Sequence, residues 1–83
     1  MAADAELKRR VDTVIKDNLV LGRDYDLKPE HKLIEDLGAD DLDEIEVLMG
    51  LEEEFGFAIP EEDMPNLKTV QGIYDYIDKR YNG

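Results

Sequence analysis

Apolar residues recur along this chain at helical spacing. Leu7, Val11, Val14 and Ile15 fall at i, i+4, i+7 and i+8, which predicts a first helix from about Asp4 to Leu19. Gly22 suits its C-terminal end. Val70, Ile73, Tyr74, Ile77 and Tyr81 repeat the stripe in a last helix, which Thr69 is placed to cap. Lys79 and Arg80 suit the negative pole of that helix. A middle helix spans about Asp41 to Phe55. Asp40 or Asp41 can cap it, Asp43 and Glu44 favour the positive end of its dipole, and Gly56 ends it. The stretch from Pro60 to Met64 predicts one short helical turn, with Pro60 at its first position and Pro65 limiting its length. No stretch keeps the period-2 alternation of a strand. The pattern predicts an all-α fold of three main helices and one short helix. A long first loop from Val20 to Gly38 is pinned to the core by Leu27, Leu33, Ile34 and Leu37.

The middle helix has two apolar faces. At about 100° per residue from Leu42, the residues Val47, Leu48, Leu51 and Phe55 fall between about 140° and 240°, the natural core face. Leu42, Ile45 and Met49 fall between about 300° and 0°, flanked by Glu46, Glu52 and Glu53. One account of this second stripe is packing beneath the long loop. The other is a dock, in which the three apolar side chains enter a partner's groove and the glutamates meet Lys or Arg. The acidic rim favours the dock, because carboxylates are poor company for a buried seam.

Charge sharpens that contrast. The chain has 83 residues, enough for one domain, and carries 10 basic against 22 acidic residues, a net charge of −12. From Leu33 to Leu67 there is no Lys or Arg, yet 13 of the 22 acids lie there. A one-signed surface of this kind steers a basic partner and repels nucleic acid and anionic membrane. No unbroken apolar run exceeds three residues, as at Val47 to Met49, far short of a membrane span. The segment Met1-Ala2-Ala3-Asp4 lacks the basic and apolar regions of a signal peptide, so the expected setting is the cytoplasm. A monomer is expected.

Several chemistries have no residues to perform them. There is no serine and no cysteine, and His31 in the long loop is the only histidine, so Ser-His-Asp and Cys-His arrangements are excluded. His31 reads as a loop or capping residue. No Gly-rich phosphate loop is present. A calcium loop starting at Asp36 would place Gly38, Asp41 and Val47 where an oxygen ligand, a glycine and a glutamate are needed. A loop starting at Asp24 fails at Pro29. No dedicated metal site is expected, only weak divalent binding that relieves carboxylate repulsion. The carboxylates alone do not make a paired-carboxylate hydrolase in a chain this small. No catalytic residue is assigned.

The run Leu37-Gly38-Ala39-Asp40-Asp41-Leu42-Asp43, continued by Glu44 to Phe55, closely resembles the acyl carrier proteins of fatty acid synthesis. The resemblance extends through Ile59-Pro60 and from Thr69-Val70-Gln71 to Tyr76-Ile77. It implies a four-helix bundle with a long first loop. In that family an Asp-Ser-Leu motif opens the second helix, and its serine carries 4′-phosphopantetheine. Asp40 matches the aspartate and Leu42 the leucine, while Asp41 stands where the serine would be. The resemblance assigns Asp40, Leu42, Ile45, Glu46, Met49, Glu52 and Glu53 to partner docking. The partners it implies are fatty-acid or polyketide synthesis enzymes and phosphopantetheinyl transferase. Attachment needs a hydroxyl that a base can activate, so no prosthetic group is expected on Asp41.

Three readings stay open on these residues. The chain is a carrier whose attachment serine has been replaced, or an unmodified relative serving as an interaction or regulatory module. The third, a small acidic cation-binding protein, is disfavoured by the failed loop pattern.

Overall fold

Four helices follow one another along the chain, each placed where an apolar stripe meets a neighbour. The computed structural model describes residues 3–82, with side chains for 5–81. Met1 and Ala2, half of the segment inspected for a signal peptide, lie outside the described residues. Helix α1 is Ala3–Leu19 and α2 is Asp41–Phe55; a short 3₁₀ helix, η1, is Glu61–Leu67, and α3 is Val70–Asn82. Among the described residues there is no strand, only an isolated antiparallel bridge between Lys32 and Thr69. Helix α1 packs against both α2 and α3, and η1 packs against α3.

The stripes become the core. Leu7, Val11, Val14 and Ile15 of α1 meet Val47, Leu48, Leu51 and Phe55 of α2 and Val70, Ile73, Tyr74 and Ile77 of α3 in one buried cluster. Leu33, Ala39, Ile59 and Leu67 complete it from the connections. Tyr81, expected in the α3 stripe, is instead 47% exposed. It lies at the end of α3, with its ring edge-on to Phe55 at 5.2 Å and its hydroxyl 3.3 Å from Arg10 Nη1. Arg10 also donates to the Glu54 carboxylate at 2.8 Å and stacks on Phe55 at 4.5 Å. A cationic clasp therefore closes this end in place of apolar packing.

The end of α1 departs from the glycine signal. Val20, not Gly22, takes the left-handed conformation after the last helical residue, at φ 57°. The Leu21 N–H reaches back to the Lys16 carbonyl at 2.9 Å, the closing bond of a Schellman turn. A β-branched residue in that region costs about 1–2 kcal/mol, and Val20 is exposed, so burial does not offset it. Gly56 does cap α2 as the sequence predicts, at φ 78° with its N–H on the Glu52 carbonyl at 2.8 Å.

Helix η1 corrects the role given to Pro65. The short helix starts after Pro60, which sits at its N-cap, and runs past Pro65 to Leu67. Proline's fixed φ of about −65° suits 3₁₀ geometry, so Pro65 costs one backbone bond without breaking the turn. Burial of Leu67 then carries the helix beyond the proline.

The long loop is ordered by main-chain bonds to the start of α3. Leu33 N–H donates to the Lys68 carbonyl, Val70 N–H to His31, and Gln71 N–H to Pro29, at 3.0, 3.0 and 2.8 Å. Leu33 is fully buried, and Leu27 and Leu37 pack against the core. Ile34, expected to help pin the loop, is exposed, because Leu33 takes the inward position next to it. His31 Nδ1 accepts from the Lys28 N–H at 3.1 Å, a local loop-capping role.

Candidate functional site

The start of α2 is built by a reciprocal cap. Asp40, in extended backbone, accepts from the Asp43 N–H at 2.8 Å, and Asp43 accepts from the Asp40 N–H at 3.2 Å. Both carboxylates are thus spent on the helix terminus, where the dipole also favours them. Asp41 follows as the first helical residue, exposed to solvent.

Beyond the cap, the two faces of α2 separate. Val47, Leu48, Leu51 and Phe55 are buried. Leu42, Ile45 and Met49 are exposed by 62%, 46% and 55%. These are large apolar side chains on one stripe, and neither the long loop nor another helix covers them. Glu46 and Glu53 stand exposed beside the stripe, with no hydrogen bond or ion pair among the described residues. Glu52 differs from its two neighbours. It is half-buried, and its Oε2 accepts from the Ile59 N–H at 2.8 Å, holding the turn after α2.

The sequence names Glu44 only for the helix dipole and does not foresee its burial or its pairing with Lys68. Glu44 is only 8% exposed, on the core side of α2. Its Oε1 accepts from Lys68 Nζ at 2.9 Å, while Oε2 is buried with no partner. The wheel carries the signal for burial, since Glu44 falls at about 200°, within the core arc. It carries no signal for Lys68, which lies beyond η1.

The hydroxyls are all elsewhere. With no serine in the chain, the candidates are threonines and tyrosines. Thr13 Oγ1 donates to the Arg9 carbonyl, and Thr69 Oγ1 accepts from the Gly72 N–H, capping α3. Tyr74 donates to Asp12 at 2.5 Å and Tyr76 to Asp63 at 2.7 Å. Burial, then the Asp12 bond, pushes the Tyr74 hydroxyl well above its ordinary pKa, and burial likewise raises Asp12. The start of α2 therefore presents carboxylates and no hydroxyl, a donor set that does not fit a phosphodiester-linked group. Among the described residues, no cluster of three or more His, Asp or Glu side chains is arranged to hold a metal ion. No helix among them is long and apolar enough to cross a membrane.

Known proteins match this arrangement along most of its length. The family model described as "Phosphopantetheine attachment site" matches residues 10–77. An acyl carrier protein from Chlorobium phaeobacteroides is 43% identical over 77 residues, covering 93% of this chain and 97% of its own. One from Chlorobium phaeovibrioides is 44% identical over the same shares. A solved structure from Mycobacterium tuberculosis, a candidate acyl carrier protein, superposes with a TM-score of 0.81 at 28% identity, covering 90% of this chain and 99% of that one. These proteins are carriers of phosphopantetheine-linked groups rather than enzymes. Four helices in this order, an acid-capped second helix and matches over nine-tenths of the length place the chain in the acyl carrier protein family.

Proposed function

We propose that this chain acts in the cytoplasm as a single-domain, monomeric module of fatty acid synthesis that docks without carrying. The exposed stripe of Leu42, Ile45 and Met49 is the observation that carries the reading. Large apolar side chains in a row on a charged surface mark a contact site, and the unpaired Glu46 and Glu53 rim it with negative charge. Asp40 contributes through the cap that fixes the helix, and Glu52 borders the stripe from its anchored position. A partner of complementary shape brings an apolar groove with Lys and Arg around it. Enzymes of fatty-acid or polyketide synthesis, and phosphopantetheinyl transferase, are the partners that family membership suggests.

In this reading Asp41 holds the attachment position. Its carboxylate has no hydroxyl to offer phosphorus, and bonding would give at best a labile mixed anhydride. Asp40, Asp43 and Glu44 around it also repel a phosphate. The absence of serine equally supports the second reading, an unmodified relative that competes with a charged carrier for the same enzymes.

Two measurements test the proposal. Incubation with coenzyme A and a phosphopantetheinyl transferase leaves the intact mass of this chain unchanged, whereas Asp41→Ser gains the arm. Modification of the unaltered chain overturns the assignment of Asp41. Binding to a carrier-dependent ketoacyl synthase weakens as salt rises, because exposed charges are screened over about 8–10 Å near physiological ionic strength. Binding that ignores both salt and Met49→Ala overturns the dock.

A further inference from the structure

Basic residues gather on the face of α1 that turns away from the core. A concavity of about 610 Å³ there is lined by Lys8, Arg9, Lys16 and Arg23, four of the ten basic residues in the chain. Asp12 and Asp17 are its carboxylates among the described residues. On the α1 wheel, Lys8, Arg9 and Lys16 fall at about 100°, 200° and 180° from Leu7, whereas the buried Leu7, Val11, Val14 and Ile15 occupy the arc from about 340° to 80°. Lys16 Nζ donates to the Arg23 carbonyl at 2.8 Å, which ties the start of the long loop back onto the helix. Asp12 is engaged by the Tyr74 hydroxyl of α3, and Arg9 is held only by Glu6 in an exposed pair of small net energy. The lining keeps a local excess of two positive charges in a chain of net charge −12.

We propose that this face binds an extended acidic segment of a protein partner, with carboxylates four residues apart. It is a second contact surface, opposite in sign to the α2 stripe, and it stands whether or not that stripe docks. Lys8 and Lys16 are eight residues apart, about 12 Å along the helix axis. In an extended segment, carboxylates at i and i+4 lie on one side about 13 Å apart, so each meets one ammonium. Asp12 stands midway between the two lysines and repels a carboxylate at i+2, so the segment is neutral there. Arg9 and Arg23 flank the pair with forked donors. A peptide fits better than a membrane or a nucleic acid. No large apolar side chain lines the face for insertion into lipid, and no aromatic ring lines it for stacking on a base. The net negative charge of the whole chain also repels both of those extended anionic surfaces.

The test titrates the full ¹⁵N-labelled chain at low salt with two acetylated, amidated pentapeptides of equal charge. Each is glutamine except for two glutamates, placed four residues apart in one and two apart in the other. The first probe gives saturable shifts at the amides of Arg9, Thr13 and Lys16. The second binds about threefold more weakly, the loss of one exposed ion pair. Lys8→Gln lowers the affinity of the first probe about threefold and removes the preference for its spacing. Lys32→Gln, an equal change of charge in a different concavity, alters neither. Equal affinities for the two probes, shifts that do not saturate, or the same loss in Lys32→Gln overturn the proposal. Tighter binding of phosphatidylglycerol vesicles or oligothymidylate at the same amides overturns it as well, in favour of a membrane or a nucleic acid.

Discussion

Glu44 is a carboxylate on the core side of α2, with one oxygen paired and one stranded. Replacing it with leucine removes both the ion pair and the stranded oxygen. The pair is half in water, since the Lys68 side chain is 55% exposed, so its loss costs about 0.5–1 kcal/mol. Removing the desolvation penalty of the unpartnered oxygen returns about 1–3 kcal/mol. The added apolar burial favours leucine further. Glu44→Leu should therefore be more stable by about 1 kcal/mol, a rise in melting temperature of about 4–8 °C for a chain of this size. Lys68→Ala should act the other way, by about 1–2 kcal/mol, because it strands the whole carboxylate in the interior. Urea unfolding followed by far-ultraviolet circular dichroism on both single variants and the double variant measures this. The double variant should track Glu44→Leu, since Lys68 then has no buried charge to neutralise. A Glu44→Leu variant more than about 1 kcal/mol less stable than the parent, or a neutral Lys68→Ala, would refute the reasoning.

Other outcomes follow from features already described. Val20→Gly relieves the left-handed strain at the end of α1 and should stabilise the fold by about 0.5–1 kcal/mol, read as a higher urea midpoint at unchanged slope. Tyr74 has a folded pKa raised above its ordinary 10.0, so its contribution is complete below pH 10 and is lost as pH rises through the folded value. Stability should fall above pH 10, and Tyr74→Phe should make that fall shallower while costing about 1–3 kcal/mol at neutral pH by leaving Asp12 without its donor. Glu46→Lys should weaken synthase binding and flatten its salt dependence, measured by surface plasmon resonance at several ionic strengths. Millimolar magnesium should raise the melting temperature by relieving repulsion among the carboxylates, and an unchanged melting curve would exclude that relief.

Local physics made much of this fold legible. Each apolar position of the α1 stripe is buried, and α2 begins and ends at the residues its acids and Gly56 predict. Those signals live within a turn or two of chain. Features that depend on distant neighbours did not show. Tyr81 continues the α3 stripe in register but lies at the edge of the bundle, where Arg10 from α1 meets it. Ile34 and Leu33 are equally apolar, and only the backbone bond from Leu33 to Lys68 decides which one turns inward. The partner of Glu44 lies 24 residues away. At the candidate site, periodicity separated the stripe of Leu42, Ile45 and Met49 from the core face. The wheel already sets Glu52, at about 280° between the core arc and the stripe, apart from Glu46 and Glu53 at about 40° and 20°, but it carries no signal for the Ile59 N–H that holds Glu52.

The loop between α1 and α2 is fastened to α3 through main-chain atoms at Pro29, His31 and Leu33. Bonds of that kind make little demand on side-chain identity. Among the three loop residues they fasten, Leu33 is the one committed to the interior, and Pro29 and His31 can change in size and charge while the register survives. The crossing is thus free to diversify between relatives without disturbing α2. A graft of a foreign loop of equal length that retains Leu27, Leu33, Leu37 and Ala39 should keep the bundle intact, which makes the positions between them the natural place to install a tag or a reporter.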